Sequence, residues 1–141
     1  MKTVAVSGYF DPIHVGHLEY LEMVNQLGDR LVVIVNNNHQ CVLKKGKPFM
    51  DEADRVKIVE ALKIVDEVFL SIDRDKSVCD SLDAIKPDIF ANGGARLQHR
   101  SHTQNPEGFG HCRKHAGYLV LRQWPYVYDP PARWLFFTPW R

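Results

Sequence analysis

The chain has 141 residues, 45% hydrophobic and 25% charged, with a formal net charge of +1. That is enough for one globular domain with a real core, and the balance excludes a disordered or fibrous chain. No apolar run approaches the ~20 residues of a membrane-spanning helix, and a pI near 7.8 argues against a nucleic-acid binder, for which a domain pI above ~9 is the usual mark.

Thr3-Val4-Ala5-Val6 is a β-branched run that predicts a short buried strand. Leu18, Leu21, Val24 and Leu27 recur at near-helical spacing and predict a helix. Between them, residues 7–17 read Ser-Gly-Tyr-Phe-Asp-Pro-Ile-His-Val-Gly-His, a strand-to-helix turn with Gly8 and Gly16 near its ends. Glycines there allow backbone to approach a ligand. The N–H groups and positive dipole end of the helix favour an anion. His14 and His17, three residues apart, share one face of the first turn. A histidine at a helix start is most often a cap or a surface residue. An H-x-x-H pair could also hold a metal, but zinc needs further ligands and Asp11 is the only neighbour available. Phosphate is the better fit, and no metal ligands are assigned.

Gly8-Tyr9-Phe10-Asp11-Pro12-Ile13-His14-Val15-Gly16-His17 resembles the G-x-F-D-x-x-H-x-G-H motif of the cytidylyltransferase-like nucleotidyltransferases. The chain is most similar to the subgroup containing heptose-1-phosphate adenylyltransferase and glycerol-3-phosphate cytidylyltransferase, from about residue 3 to residue 94.

Further along, Gly28 is a natural helix stop, and Leu31-Val32-Val33-Ile34-Val35 predicts a strand covered on both faces. Asn36 to His39 then predict a polar loop at the carboxyl end of that strand, either a plain turn or part of a site. Lys44, Lys45 and Lys47 follow on the same loop. Asp51 is suited to cap a helix running through Val65, with Arg55 in its first turn, where the dipole disfavours a cation. That placement points to a use, with a salt bridge to Asp51 or Asp54 as the plain alternative. Glu67–Ser71 predicts a third strand. Val78, Leu82 and Ile85 predict a helix stopped by Lys86-Pro87, and Asp88–Ala91 a fourth strand ending in Asn92-Gly93-Gly94. Pro106–His115 with Gly117 suits a further helix and its stop, and Tyr118–Leu121 a fifth strand. Strands alternating with helices imply an α/β fold, a doubly wound parallel sheet of the Rossmann-like type. Residues 1–121 are expected to form the domain and residues 122–141 an atypical aromatic, Pro- and Arg-containing tail.

The resemblance implies transfer of a nucleoside monophosphate from ATP or CTP to a sugar-phosphate or polyol-phosphate, with release of pyrophosphate. It gives His14 and His17 the triphosphate and the reacting α-phosphate, and Tyr9 and Phe10 backbone contacts to the nucleotide. Gly16 belongs to the same turn. Among the lysines Lys44 is the best positional match for a phosphate contact, and Lys47 the second. Arg55 stands where the family has a basic residue near the nucleotide, and Asn92 and Gly93 where sugar-phosphate and nucleotide meet. Mg²⁺ would be carried mainly by the triphosphate, since it prefers few protein ligands. The expected partners are therefore a nucleoside triphosphate and a small phosphorylated substrate, with no membrane, nucleic acid set aside and a homodimer allowed. Three scattered cysteines and a start unlike a signal peptide suit a reduced, cytoplasmic setting.

Composition breaks near Gly94. Residues 1–94 carry 11 Lys or Arg against 15 Asp or Glu, whereas residues 95–141 carry 7 against 2, with all three Trp. Ala95 stands where the family has Asp, and nothing after Leu121 resembles the family's I-S-S/T ending. Genuine divergence or a shifted reading frame both suit that break. The alternative expectation is accordingly a nucleotide-binding protein of the same fold with weak or lost catalysis.

Overall fold

In this computed structural model, residues 1–91 are described in full and residues 92–93, 117–121, 126–129 and 133–136 as backbone. The elements run β1 (Thr3–Gly8), α1 (Val15–Asn25), β2 (Arg30–Val35), α2 (Asn38–Lys45), α3 (Glu52–Glu60), β3 (Glu67–Leu70), α4 (Cys79–Ile85), β4 (Ile89–Gly93), β5 (Gly117–Leu121), β6 (Tyr126–Asp129) and β7 (Arg133–Phe136). The first five strands form one sheet in the order β3-β2-β1-β4-β5. All its pairings are parallel. This is the doubly wound architecture that the alternating pattern implies.

Side-chain alternation along each strand sorts the core onto two faces. Val4 and Val6 of β1 and Val33 and Val35 of β2 pack with Leu21 and Val24 of α1 and Val59 of α3. Ala5 and Ile34, one residue out of phase, pack with Val78, Cys79 and Leu82 around α4. Leu31–Val35 are all buried, which is why that run shows no polar alternation.

The amino edge of the sheet is closed by a repeated device. Asp29, Asp66 and Asp88 each lie just ahead of a strand. Each donates its own N–H to a backbone carbonyl of the neighbouring chain, those of Lys2, Leu31 and Thr3. Each carboxylate in turn accepts that same residue's N–H, at 2.8, 2.7 and 2.7 Å. The acids at this edge are thus structural. The strand order reverses between β1 and β4, and open sheets of this kind bind ligands beyond the carboxyl ends at such a switch point.

Several boundaries differ from expectation. α3 ends at Glu60 rather than Val65, because Ala61 caps it and the chain turns through Leu62 and Val65, whose N–H groups bond to Val59 and Leu62 carbonyls. The loop expected over Asn36–His39 shrinks to Asn36 and Asn37, because α2 begins at Asn38: Asn37 caps it, its side chain accepting from Gln40 N at 2.9 Å while the Gln40 side chain accepts from Asn37 N. Lys44 and Lys45 therefore lie in the last turn of a helix, and only Lys47 is on the loop beyond it. Cys41 is a buried free thiol, whereas Cys79 is disulfide-bonded, contrary to the reading of three reduced cysteines. Gly117 begins β5. β6 and β7 pair antiparallel in a second sheet, an arrangement the Pro-rich tail did not announce. The expected helix at 106–115, Ala95 and the rest of the tail lie outside the described residues. Among the described residues no helix is long and apolar enough to cross a membrane.

Gly28 also has a different reason from the one its position suggests. Gln26 caps α1, and Gly28 is required by close approach: a Cβ there would stand 2.6 Å from Val4 Cγ2 and 2.7 Å from Lys2 O. Overpacking of that kind costs about 1–3 kcal/mol. Gly28→Ala is expected to lower the urea midpoint accordingly, and an unchanged midpoint would show that β1 yields freely there.

Candidate functional site

β1 ends at Gly8, and the next six residues bring the chain round to the start of α1. Phe10 takes a left-handed φ of +48°. Its ring is buried and folds back over Gly8, where a Cβ would lie 2.9 Å from two ring carbons. Gly8 therefore makes room for Phe10 rather than for a ligand, and the ring in turn lies under His17, with centroids 5.0 Å apart.

The two histidines cap the helix reciprocally. Gly16 N donates to His14 Nδ1 at 3.1 Å, and His14 N donates to His17 Nδ1, also at 3.1 Å. This is a capping box built from two imidazoles, with histidine in place of the usual Ser or Thr at the cap and Glu or Gln three residues on. An amide N–H donates only to an unprotonated ring nitrogen. Each neutral ring must then carry its proton on Nε2. The rings lie 3.8 Å apart, tilted by 30°, so two Nε2–H donors sit side by side at the helix N-terminus.

Both rings are held neutral. Burial first, then the repulsion a second proton on His14 would exert and the charge of Lys44, push His17 down to about 3. Burial also holds His14 below its ordinary value. The site is a pair of uncharged donors, with Lys44 the cation whose charge reaches it.

Three further residues fix the turn. Asp11, fully buried at its side chain, pairs with Lys45 Nζ and accepts from Phe49 N at 2.8 Å and Met50 N at 2.7 Å. Burial pulls its carboxyl pKa up, but the Lys45 ammonium and the two amides outweigh that and hold it below the ordinary value. With those oxygens already taken, Asp11 is not placed to serve as a metal ligand. Among the described residues no group of three or more His, Cys, Asp or Glu could hold a metal ion. Arg55 is fully buried. It donates to Met50 O (3.1 Å), Tyr9 O (2.8 Å), Asn36 O (2.6 Å) and Asn38 Oδ1 (2.9 Å). The salt bridge to Asp51 or Asp54 is thereby replaced by a staple across the ends of β1, β2 and α2.

Of the residues singled out from sequence, Tyr9, Phe10, His14, Gly16, His17 and Lys44 gather at the head of α1. Arg55 reaches the same turn from beneath, through the Tyr9 carbonyl. Asn92 and Gly93 close β4, the strand beside β1, in register with Val120 and Leu121 of β5. Lys47 is exposed on the loop after α2. Sequence reasoning missed the Asp11–Lys45 pair; the signal was an acid inside the turn with a lysine cluster downstream.

The depressed His17 pKa has a consequence for stability. Between about 3 and its ordinary 6.5 the unfolded chain binds a proton that the folded chain refuses. Stability therefore rises with pH across that window and is lost as pH falls below 6.5. Asp11 adds to the loss only at lower pH, below its ordinary 3.8. His17→Gln, which keeps a capping-box side chain at this position, is expected to flatten the decline between pH 6.5 and pH 4.5 in urea melts. An identical profile in the variant would contradict the assignment to His17.

The chain is 46% identical over 93 residues to an FAD synthase of Ferroglobus placidus, covering 66% of this chain and 59% of that protein. It is 39% identical over 94 residues to the bifunctional protein HldE of Methylobacillus flagellatus, covering 65% of this chain and 19% of that protein. The chain thus spans about three fifths of the FAD synthase and a fifth of HldE. Its fold matches the crystal structure of a lipopolysaccharide core biosynthesis protein from Thermoplasma volcanium GSS1, with a TM-score of 0.68 and 26% identity, covering 85% of this chain and 93% of that one. The cytidylyltransferase-like family model matches residues 5–117, past Gly94, where the motif resemblance fades. With most of its length matched and the histidine turn at the head of α1, the chain belongs to the cytidylyltransferase-like family.

Proposed function

We propose that this protein is a nucleotidyltransferase that moves a nucleoside monophosphate from a nucleoside triphosphate, ATP or CTP, to a polyol-phosphate or sugar-phosphate. The observation that carries the reading is the pair of Nε2–H donors fixed by reciprocal caps at the N-terminus of α1. An oxygen of the acceptor phosphate attacks the α-phosphorus and forms the new P–O bond. The bond to the bridging oxygen breaks, and pyrophosphate leaves with the electron pair. The attacking oxygen is already anionic, so the site needs no strong base. It needs alignment and donors for charge on the phosphoryl oxygens. Neutral imidazoles suit that task because they donate without having to lose a proton at physiological pH. Lys44 supplies the positive charge. Mg²⁺ bound to the triphosphate would neutralise its outer phosphates. The residues fit a metal carried by the nucleotide, since the Asp11 oxygens already hold Lys45 and two amides.

Relatives named FAD synthase favour ATP and a flavin acceptor. FAD joins an adenylyl group to flavin mononucleotide, whose ribityl phosphate is itself a polyol-phosphate. Flavin mononucleotide is therefore the first acceptor to test, with heptose-1-phosphate and glycerol-3-phosphate next. A second reading, nucleotide binding with weak catalysis, is favoured by Ala95 in place of the family's Asp and by the unmatched ending.

Pyrophosphate release with each triphosphate and acceptor tests the assignment. His14→Ala and His17→Ala are each expected to lower kcat ~10²–10³-fold, the usual loss for one transition-state donor. Melting curves separate that from the about 0.5–2 kcal/mol lost with a helix cap. Lys44→Ala is expected to raise KM for the triphosphate more than Lys45→Ala, which should instead lower the melting temperature by orphaning Asp11. Full turnover in both histidine variants would overturn the reading, and nucleotide binding without turnover in the native chain would establish the second.

A further inference from the structure

We propose that Tyr20 is a positioning residue: it ties the helix that carries the histidine pair to the end of β4, and so sets the cleft that a nucleoside triphosphate has to span. This role deepens the nucleotidyl-transfer reading and rests on it. The cleft begins where two strands part. β1 stays paired with β2 as far as Gly8 and Val35, but its pairing with β4 stops at Val6 and Ala91. Asn92 and Gly93 run on beside β5. Ligands of open parallel sheets sit in the crevice that such a parting leaves. The Tyr20 hydroxyl donates to Ala91 O at 2.7 Å, a buried bond at the last β4 residue paired with β1.

That bond joins the two walls of the cleft. Tyr20 is buried in α1, three residues beyond His17, and residues so spaced share one face of a helix. The His17 end of α1 therefore stands one turn above the tie, about 4.5 Å along the helix axis. Tyr20, Val6 and Ala91 belong to one buried cluster, so packing already holds the helix against the sheet. Apolar contact is non-directional, however, and leaves some freedom in how far the head of α1 stands from the end of β4. A hydrogen bond tolerates only a narrow range of lengths and angles, and removes that freedom. Phosphates held at the head of α1 need only the near wall. A nucleoside joined to them must also meet the β4 end, so only the whole nucleotide reads the distance between the walls.

The test measures Kd for inorganic tripolyphosphate, ATP and CTP on the full chain, on Tyr20→Phe and on Val24→Ala, at a temperature where melting curves show each variant folded. Tyr20→Phe keeps the ring and loses the bond. It should weaken the tighter-binding nucleotide about three- to tenfold, the size of one neutral hydrogen bond, and leave tripolyphosphate within about twofold. Val24→Ala removes buried methyls from the same helix and lowers stability without touching the tie. Its affinities for both ligands should stay at native values. An equal loss of tripolyphosphate and nucleotide in Tyr20→Phe would make the bond a support for the histidine turn alone and overturn the proposal. Unchanged nucleotide affinity there, or the same selective loss in Val24→Ala, overturns it as well. So does a native chain that binds tripolyphosphate but neither nucleotide, since nothing would then span the cleft. A selective loss in Tyr20→Phe, in a native chain that turns over no acceptor, refutes nucleotidyl transfer and leaves the role of Tyr20 standing. A native chain that binds neither tripolyphosphate nor nucleotide overturns both.

Discussion

The reciprocal cap between His14 and His17 is the constraint on which the site depends. Two backbone amides at the helix start, those of His14 and Gly16, are each given to an imidazole Nδ1. The same two bonds that stabilise the helix also decide where each ring keeps its proton. Capping and catalysis are usually weighed as rival explanations for a histidine at a helix start. Here one nitrogen of each ring serves the first, and the other carries the N–H that the proposed reaction would use.

A cap of this kind is useful only if the turn that carries it is stiff. Two buried groups of opposite charge supply that stiffness, and both are bound chiefly to backbone. Asp11 draws in the amides of Phe49 and Met50 together with Lys45. Arg55 gathers the carbonyls of Tyr9, Asn36 and Met50. Both thus reach Met50, one at its N–H and one at its carbonyl, so the segment ahead of α3 is clamped onto the turn after β1. Tyr20 adds a tie across the switch point, its hydroxyl donating to Ala91 O at 2.7 Å from α1 to β4. Removing the charge of Asp11 or Arg55 would leave its partners buried without a bond, which is the costly side of polar burial.

Much of this was legible in the sequence. The parallel sheet announced itself through unalternated runs such as Leu31–Val35, and the histidine turn through a spacing that few other structures demand. What escaped was mostly long-range. Asn36 to His39 read as a loop because asparagine suits turns, yet the same preference makes Asn37 a helix cap once Gln40 stands three residues on. Arg55 was singled out because a cation is misplaced in a first helical turn. That logic was sound, but the carbonyls that hold it lie 5, 19 and 46 residues away in sequence. Gly28 read as a helix stop, while its actual neighbours, Lys2 and Val4, are brought to it only by the fold. Local chemistry shows in a sequence; the partner across the sheet does not.

The central claim is that both imidazoles are neutral and protonated at Nε2. Nitrogen NMR of the two rings tests it most directly, since protonated and unprotonated ring nitrogens resonate far apart. At pH 7 both rings should show a protonated Nε2 and an acceptor Nδ1, and adding inorganic tripolyphosphate should perturb the Nε2 signals more than the Nδ1 signals. A proton on Nδ1 of either ring, or a charged imidazolium at that pH, would contradict the account.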